Sequence, residues 1–262
     1  MLAHAIPFYR SLRTSPRNPD KDMLRAEVWG LLESQGAGLG SVWSRIPNFR
    51  GAEEAAQRLA QLPVWRNAKI VKCNPDAPQI PVRLRALQEG KLLYTPIPEL
   101  KQEYPFVLLD PEDLLRRGIS YEEVAPIDGA VKHGIKVYFE EMMPFDLALV
   151  GCVAVTRQGG RTGKGGGFAD LELGIFREIG LVTPDTPIAT TVHSLQVVED
   201  GRIVMQAHDT PLDWIITPDE VIETNTSYPD PGGVNWEAIQ SDQWDSIPFL
   251  LTLREKLSRR RH

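Results

Sequence analysis

Cysteine is scarce: Cys73 and Cys152 are the two in 262 residues. Both sit in apolar stretches that read as strands, and neither has the spacing of a zinc site or a redox pair. A chain of this length buries enough core to fold without a disulfide or metal staple. Long apolar runs are missing too. No stretch approaches the roughly 20 residues of a membrane span. The first 20 residues scatter basic side chains around no apolar centre, unlike a signal peptide. These absences lead us to expect a cytoplasmic protein with no membrane partner. Positive charge is in deficit, with 29 Lys and Arg against 35 Asp and Glu, which argues against nucleic acid as a partner. Gly-x-Ser-x-Gly, the Walker ending Gly-Lys-Ser/Thr and the dinucleotide fingerprint are all absent.

What remains is a soluble globular composition, 42% hydrophobic and 24% charged. Its most distinctive stretch is Arg161-Thr-Gly-Lys-Gly-Gly-Gly167 and the Phe168-Ala169-Asp170 that follows. An apolar run from Leu147 to Val155 reads as one buried strand, Thr156 to Gly160 as a turn, and Leu171, Ile175, Phe176 and Ile179 as the apolar face of a helix. A glycine-rich loop carrying Arg161 and Lys164 therefore lies between a strand and a helix. Its backbone N–H groups can approach a phosphate closely, and the helix start adds partial positive charge. Asp170 offers a carboxylate for a divalent ion. The alternative is a flexible turn.

Asn18, Pro19 and Asp20 read as cap, first position and acidic first turn of a helix whose apolar stripe is Leu24, Val28, Leu31 and Leu32, ending at Gly36. Lys21 and Arg25 share one face of it, either as phosphate ligands or as a solvated charged face. Further on, Glu53–Leu62 and Pro81–Gln88 read as helices. Ala68–Cys73, Leu92–Thr95, Phe106–Leu109, Pro187–Val192 and Trp214–Thr217 read as strands, the last of them the final clear one, with a short one at Val204–Gln206. The segment His133–Glu141 reads as helix or irregular. Alternation of strands with helices predicts a largely parallel sheet covered on both faces, with ligands beyond the strands' carboxyl ends. The turn Asn74–Gln79 and the glycine loop both follow strands. Asp76 and Gln79 are thus polar candidates for a substrate group, or ordinary turn residues. Asp209 and Asp213 flank a turn before a strand. Asp170 and Asp209 suit a hard cation, Asp213 serves as its alternative or as a strand-start cap, and His208 reads as a packed histidine. The expected layout is a tail over 1–18, an α/β domain over 19–226 and a C-terminal extension over 227–262 that packs on it.

Three pieces of this chain read together. Lys21-x-x-x-Arg25 resembles the basic opening helix of 5-formyltetrahydrofolate cyclo-ligases, also called methenyltetrahydrofolate synthetases. Arg161-Thr-Gly-Lys-Gly-Gly-Gly-Phe-Ala-Asp170 resembles their R-L-G-x-G-x-G-Y-Y-D loop. His208-Asp209-x-x-x-Asp213-x-Ile-Ile-Thr217 resembles their closing element. The resemblance covers about residues 20 to 218 and implies a three-layer α/β/α sandwich, NagB/RpiA/CoA transferase-like. It implies a reaction in which ATP and Mg²⁺ drive closure of 5-formyltetrahydrofolate to 5,10-methenyltetrahydrofolate, releasing ADP and phosphate. Carried over, Lys21, Arg25, Arg161, Gly163, Lys164, Gly165, Gly166 and Gly167 would bind ATP. Asp170 and Asp209 would hold Mg²⁺. Asp76, Gln79 and Phe168 would meet a reduced folate or similar heterocycle, and Arg161, Lys164 and Asp76 would be the catalytic residues. The chain departs from the family pattern at Asp76-x-x-Gln79, where a Glu-x-x-Thr element is usual, at Phe168-Ala169 in place of Tyr-Tyr, and at His193 in place of a Phe. The loop around Arg45-Ile-Pro-Asn-Phe49 and the C-terminal extension look like a divergent branch of the family. Two further readings stay open: an ATP-dependent enzyme acting on another small heterocycle, and a non-catalytic nucleotide or folate binder.

Overall fold

The computed structural model describes residues 18–260; apart from Asn18, the expected N-terminal tail lies outside them. Asn18 accepts hydrogen bonds from the N–H groups of Asp20 and Lys21 at 3.0 and 3.2 Å, so helix α1, Pro19–Ser34, starts where the cap signal puts it. It stops before Gly36, whose φ of +63° suits glycine. Leu24, Val28 and Leu32 are buried as expected, whereas Leu31 is exposed and Trp29 takes the inward place. The remaining helices are α2 Ala52–Ala60, α3 Pro63–Arg66, α4 Ile80–Gln88, α5 Pro111–Arg116, α6 Tyr121–Val124, α7 Ile127–His133, α8 Phe168–Ile179, α9 Ser241–Ser246 and α10 Leu250–Arg260. The strands are β1 Ile70–Cys73, β2 Leu92–Pro96, β3 Phe106–Leu109, β4 Ile135–Val137, β5 Leu147–Leu149, β6 Ala154–Thr156, β7 Arg161–Thr162, β8 Ile188–Thr191, β9 Val197–Val198, β10 Trp214–Ile216 and β11 Val221–Glu223.

Eight strands form one sheet in the order β11-β10-β8-β5-β1-β2-β3-β4. From β10 to β2 the pairings are parallel; β11, β3 and β4 add antiparallel flanks. Successive residues alternate between two cores. Val71, Cys73, Leu93, Leu147, Leu149, Ala189 and Ile216 join the residues of α2, α4 and α5–α7. Tyr94, Ala148, Ile188 and Ile215 join those of α8 and α10. The result is the three-layer α/β/α arrangement. A second sheet, β7-β6-β9, packs with α1 around a smaller core that includes Val28, Trp29, Val153 and Ala154.

The expected strand Leu147–Val155 is two strands, β5 and β6, in different sheets. Both ends of the run are buried, so no change in polarity marks the switch. Gly151 sits in the crossing, where a Cβ would come within 2.9 Å of the Asp76 carboxylate and 3.0 Å of Ile46. Gln196 donates to the carbonyls of Cys152 and Val153 at 2.9 and 3.1 Å, satisfying backbone that no ladder reaches. Val204–Gln206 is no strand; β9 lies earlier, at Val197–Val198. Within His133–Glu141, β4 forms an edge strand, and β11 follows β10 as a further strand.

Candidate functional site

The carboxyl ends of β1, β5 and β8 open toward the turn after β1, the Gly151 crossing and the second sheet, because all three strands run in the same direction. The hairpin β6–β7 ends in Arg161 and Thr162, and the glycine loop 163–167 leads from it into α8. Arg161 is in a strand rather than in the loop itself. It is almost wholly buried. Its guanidinium pairs with Asp170 and donates to the Thr210 carbonyl at 2.7 Å. Burial works against its charge, but Asp170, with Cys152 and Asp209 after it, more than compensates and raises its pKa. Asp170 also accepts the Thr210 N–H at 2.9 Å.

Helix α1 crosses this hairpin. Arg25 donates to the Gly163 carbonyl at 2.6 Å, to Thr162 Oγ1 at 2.7 Å and to Asp22 at 2.6 Å. One turn earlier, Lys21 pairs with Asp209, whose carboxylate also accepts the Gln206 N–H at 2.8 Å. Lys21 and Arg25 are thus buried in contact with the loop region rather than forming a solvated face. The N–H groups of Gly165, Gly166 and Gly167 have no acceptor among the described residues. Phe168 folds its ring back against Gly166, where a Cβ would lie 2.7 Å from it.

Lys164 reaches across to Asp76, Nζ to Oδ1 3.9 Å. Burial pushes the Asp76 carboxyl up, opposed chiefly by Lys164 and then by Arg83 and Lys72. Gln79 is fully buried, and both polar atoms of its amide lack a partner; so does the Thr191 hydroxyl, at the end of β8. Unpaired buried polar atoms are uncommon and call for an explanation. Here they lie at the strand ends where a ligand would enter.

Asp213 is not part of this cluster. It precedes β10, at the opposite end of the sheet, and its carboxylate accepts the Ile188 N–H at 2.7 Å, as a strand-start cap does. His208 is partly exposed, 3.8 Å from Asp209, rather than packed. His193 lies edge-on to Phe49, centroids 6.1 Å apart, with Nδ1 accepting the Leu195 N–H; burial lowers its pKa. Sequence reasoning missed Lys72, which pairs with Glu172 of α8 at 2.7 Å in the interior. The one available signal was a lysine inside an otherwise apolar strand. Burial pushes the Cys73 thiol up to about 11, and Cys152 upward too, so neither is a nucleophile. Among the described residues no helix is long and apolar enough to cross a membrane, and no group of three or more His, Cys, Asp or Glu could hold a metal.

The family model of the 5-formyltetrahydrofolate cyclo-ligases matches residues 17–218. The methenyltetrahydrofolate synthase domain-containing protein of Bos taurus is 35% identical over 242 residues, 90% of this chain and 62% of that protein. The chain therefore spans less than two thirds of that relative's length. The mitochondrial 5-formyltetrahydrofolate cyclo-ligase of Arabidopsis thaliana is 30% identical over 115 residues, 42% of this chain and 40% of its own. The solved 5,10-methenyltetrahydrofolate synthetase of Aquifex aeolicus aligns over 79% of this chain and 95% of its own, at a TM-score of 0.49 and 21% identity. Since the matched span runs from the cap of α1 to just past β10 and takes in every strand of the small sheet, this chain belongs to the 5-formyltetrahydrofolate cyclo-ligase family.

Proposed function

We propose that the protein uses ATP and Mg²⁺ to close 5-formyltetrahydrofolate to 5,10-methenyltetrahydrofolate, with release of ADP and phosphate. The observation that carries this reading is the row of N–H groups at Gly165–Gly167 without acceptors at the head of α8, backed by buried Arg161 and Arg25. Unpaired N–H donors at a helix start, with buried cations beside them, suit a polyphosphate. The donor set also fits the metal. Mg²⁺ takes one or two carboxylates and fills its shell with phosphate oxygens and water. Asp170 and Asp209 are two such carboxylates, tied to the same cluster by Arg161 and Lys21. Bound ATP supplies the phosphoryl group that activates the formyl oxygen.

The chain's own residues do the rest by position and charge. Lys21, Arg25 and Arg161 neutralise phosphate charge. Lys164 spans the gap between the phosphate loop and Asp76, so one cation serves both halves of the site. Asp76 accepts hydrogen bonds from N–H groups of the ring, and the buried Gln79 amide offers a donor and an acceptor once the turn admits ligand. The Phe168 ring provides an apolar surface beside the loop. Two buried, unpaired thiols agree with a reducing compartment such as the cytoplasm.

The test is turnover of 5-formyltetrahydrofolate with ATP and Mg²⁺, followed through the absorbance of the methenyl product. Calorimetry of ATP–Mg²⁺ on wild type and Arg161→Ala runs beside it. Product formation that needs both ATP and metal, and is lost in Arg161→Ala, supports the reading. Tight ATP binding with no folate turnover would favour a smaller heterocycle instead, a reading that the short Asp76 side chain and the sealed Gln79 also support.

A further inference from the structure

Beyond the span shared with the family, residues 227–260 fold back along α8. Arg177 pairs with Asp230 at 2.7 Å, and the Glu178 carboxylate accepts the Val234 N–H at 3.2 Å. This return places α9 beside the glycine loop. Gln243, on α9, is 5% exposed. Its Oε1 accepts the Gln240 N–H at 3.0 Å. That bond fixes which way the amide points and leaves Nε2 to donate to the Gly166 carbonyl, also at 3.0 Å.

A trans peptide is planar, so the carbonyl of Gly166 and the N–H of Gly167 point in opposite directions. A carbonyl held toward α9 therefore turns the Gly167 N–H away from α9. Glycines flank this peptide unit, and Gly165 and Gly167 have φ of +94° and +69°. Such a unit flips easily unless something holds it. We propose that Gln243 is a positioning residue, which aims the Gly167 N–H at the head of α8 toward an anionic oxygen of the ligand by gripping the carbonyl of the same peptide. This rests on the nucleotide reading above: the anion is a phosphate of a nucleoside triphosphate. It also makes the C-terminal segment part of the binding site although no side chain of it touches the phosphate.

The experiment uses the full chain. ATP–Mg²⁺ affinity is measured by calorimetry for wild type, Gln243→Ala, Gln243→Glu and Leu253→Ala. Gln243→Glu keeps the shape and loses the donor. Leu253→Ala loosens the same C-terminal segment without touching the loop. Losing one aimed hydrogen bond to a charged oxygen weakens binding roughly tenfold or more. We expect that loss in both Gln243 variants, a raised KM for ATP with KM for the second substrate unchanged, and near wild-type affinity in Leu253→Ala. Amide hydrogen exchange of the ligand-free chain should quicken over 163–168 in both Gln243 variants and stay as in wild type in Leu253→Ala. Wild-type affinity in Gln243→Glu, or an equal loss in Leu253→Ala, overturns the proposal. If wild type binds no ATP–Mg²⁺, the nucleotide reading fails by itself. The exchange measurement then decides on Gln243, and unchanged exchange over 163–168 rejects its grip on the loop.

Discussion

Lys72 and Glu172 form an ion pair with side chains 0% and 4% exposed. Two charges taken out of water are held by each other, so removing one strands the other. Burial already raises the Glu172 pKa, with Lys72 the main opposing influence. Lys72→Met should therefore lower unfolding free energy by about 3–5 kcal/mol, and Lys72→Met with Glu172→Leu should recover most of it. Urea unfolding of the three proteins checks this, and equal stability of single and double variants would refute the pairing. Asp213 gives a pH signature. Burial raises its carboxyl above the ordinary value, with the Ile188 N–H opposing. A raised folded pKa means the stability it contributes is full below the unfolded value, about 3.9, and is lost as pH rises through the folded pKa. Asp213→Asn keeps an acceptor for that N–H, so relative to wild type it should gain stability between about pH 4 and pH 7. Parallel urea midpoints at the two pH values measure the difference, and a constant offset would contradict it. At this scale the glycine loop and its basic residues were readable because their chemistry is local. Lys72 was not, because its partner lies 100 positions along the chain, and neither was the choice between Asp209 and Asp213, which rests on which end of the sheet each occupies.

Elements were legible where a local rule decided them. The Asn18 cap, Gly36 and the runs of β1 to β3 need only neighbouring residues. The crossing from β5 to β6 needs knowledge of two sheets, since Val150, Cys152 and Val153 are as buried as the strands on either side. Strands β4 and β11 escaped for a similar reason: they are three-residue edges added antiparallel to an established sheet. The crossing is a place where one side chain does backbone work. Gln196, 1% exposed, donates to two carbonyls there. Gln196→Ala leaves them without that donor and should destabilise by about 1–3 kcal/mol, and Gln196→Glu, which offers no donor, by at least as much. Chemical denaturation distinguishes this from a neutral position, and a shift below about 0.5 kcal/mol in both variants would show that the crossing holds itself.

Across the whole molecule, the family match ends at residue 218 but the core does not. Ile247, Leu250, Leu253 and Leu257 are buried in the same core as α8 and the sheet. Each such side chain contributes about 1.5–3 kcal/mol, and together they rival the 5–15 kcal/mol that holds a typical domain. A chain ending at residue 226 should thus lose its cooperative thermal transition; a melting temperature within a few degrees of wild type would show that the segment is an accessory. The charge layout has a consequence of its own. The cations of the proposed phosphate site already carry carboxylate counter-ions, Lys21 with Asp209 and Arg161 with Asp170. In the reading proposed here, nucleotide and metal enter by ion exchange: phosphate displaces the carboxylates from the cations, and the freed carboxylates turn to the metal. Free ATP would strand two carboxylates and free Mg²⁺ two cations, so each should bind feebly alone, and the empty cleft presents a nearly neutral face to every other anion in solution.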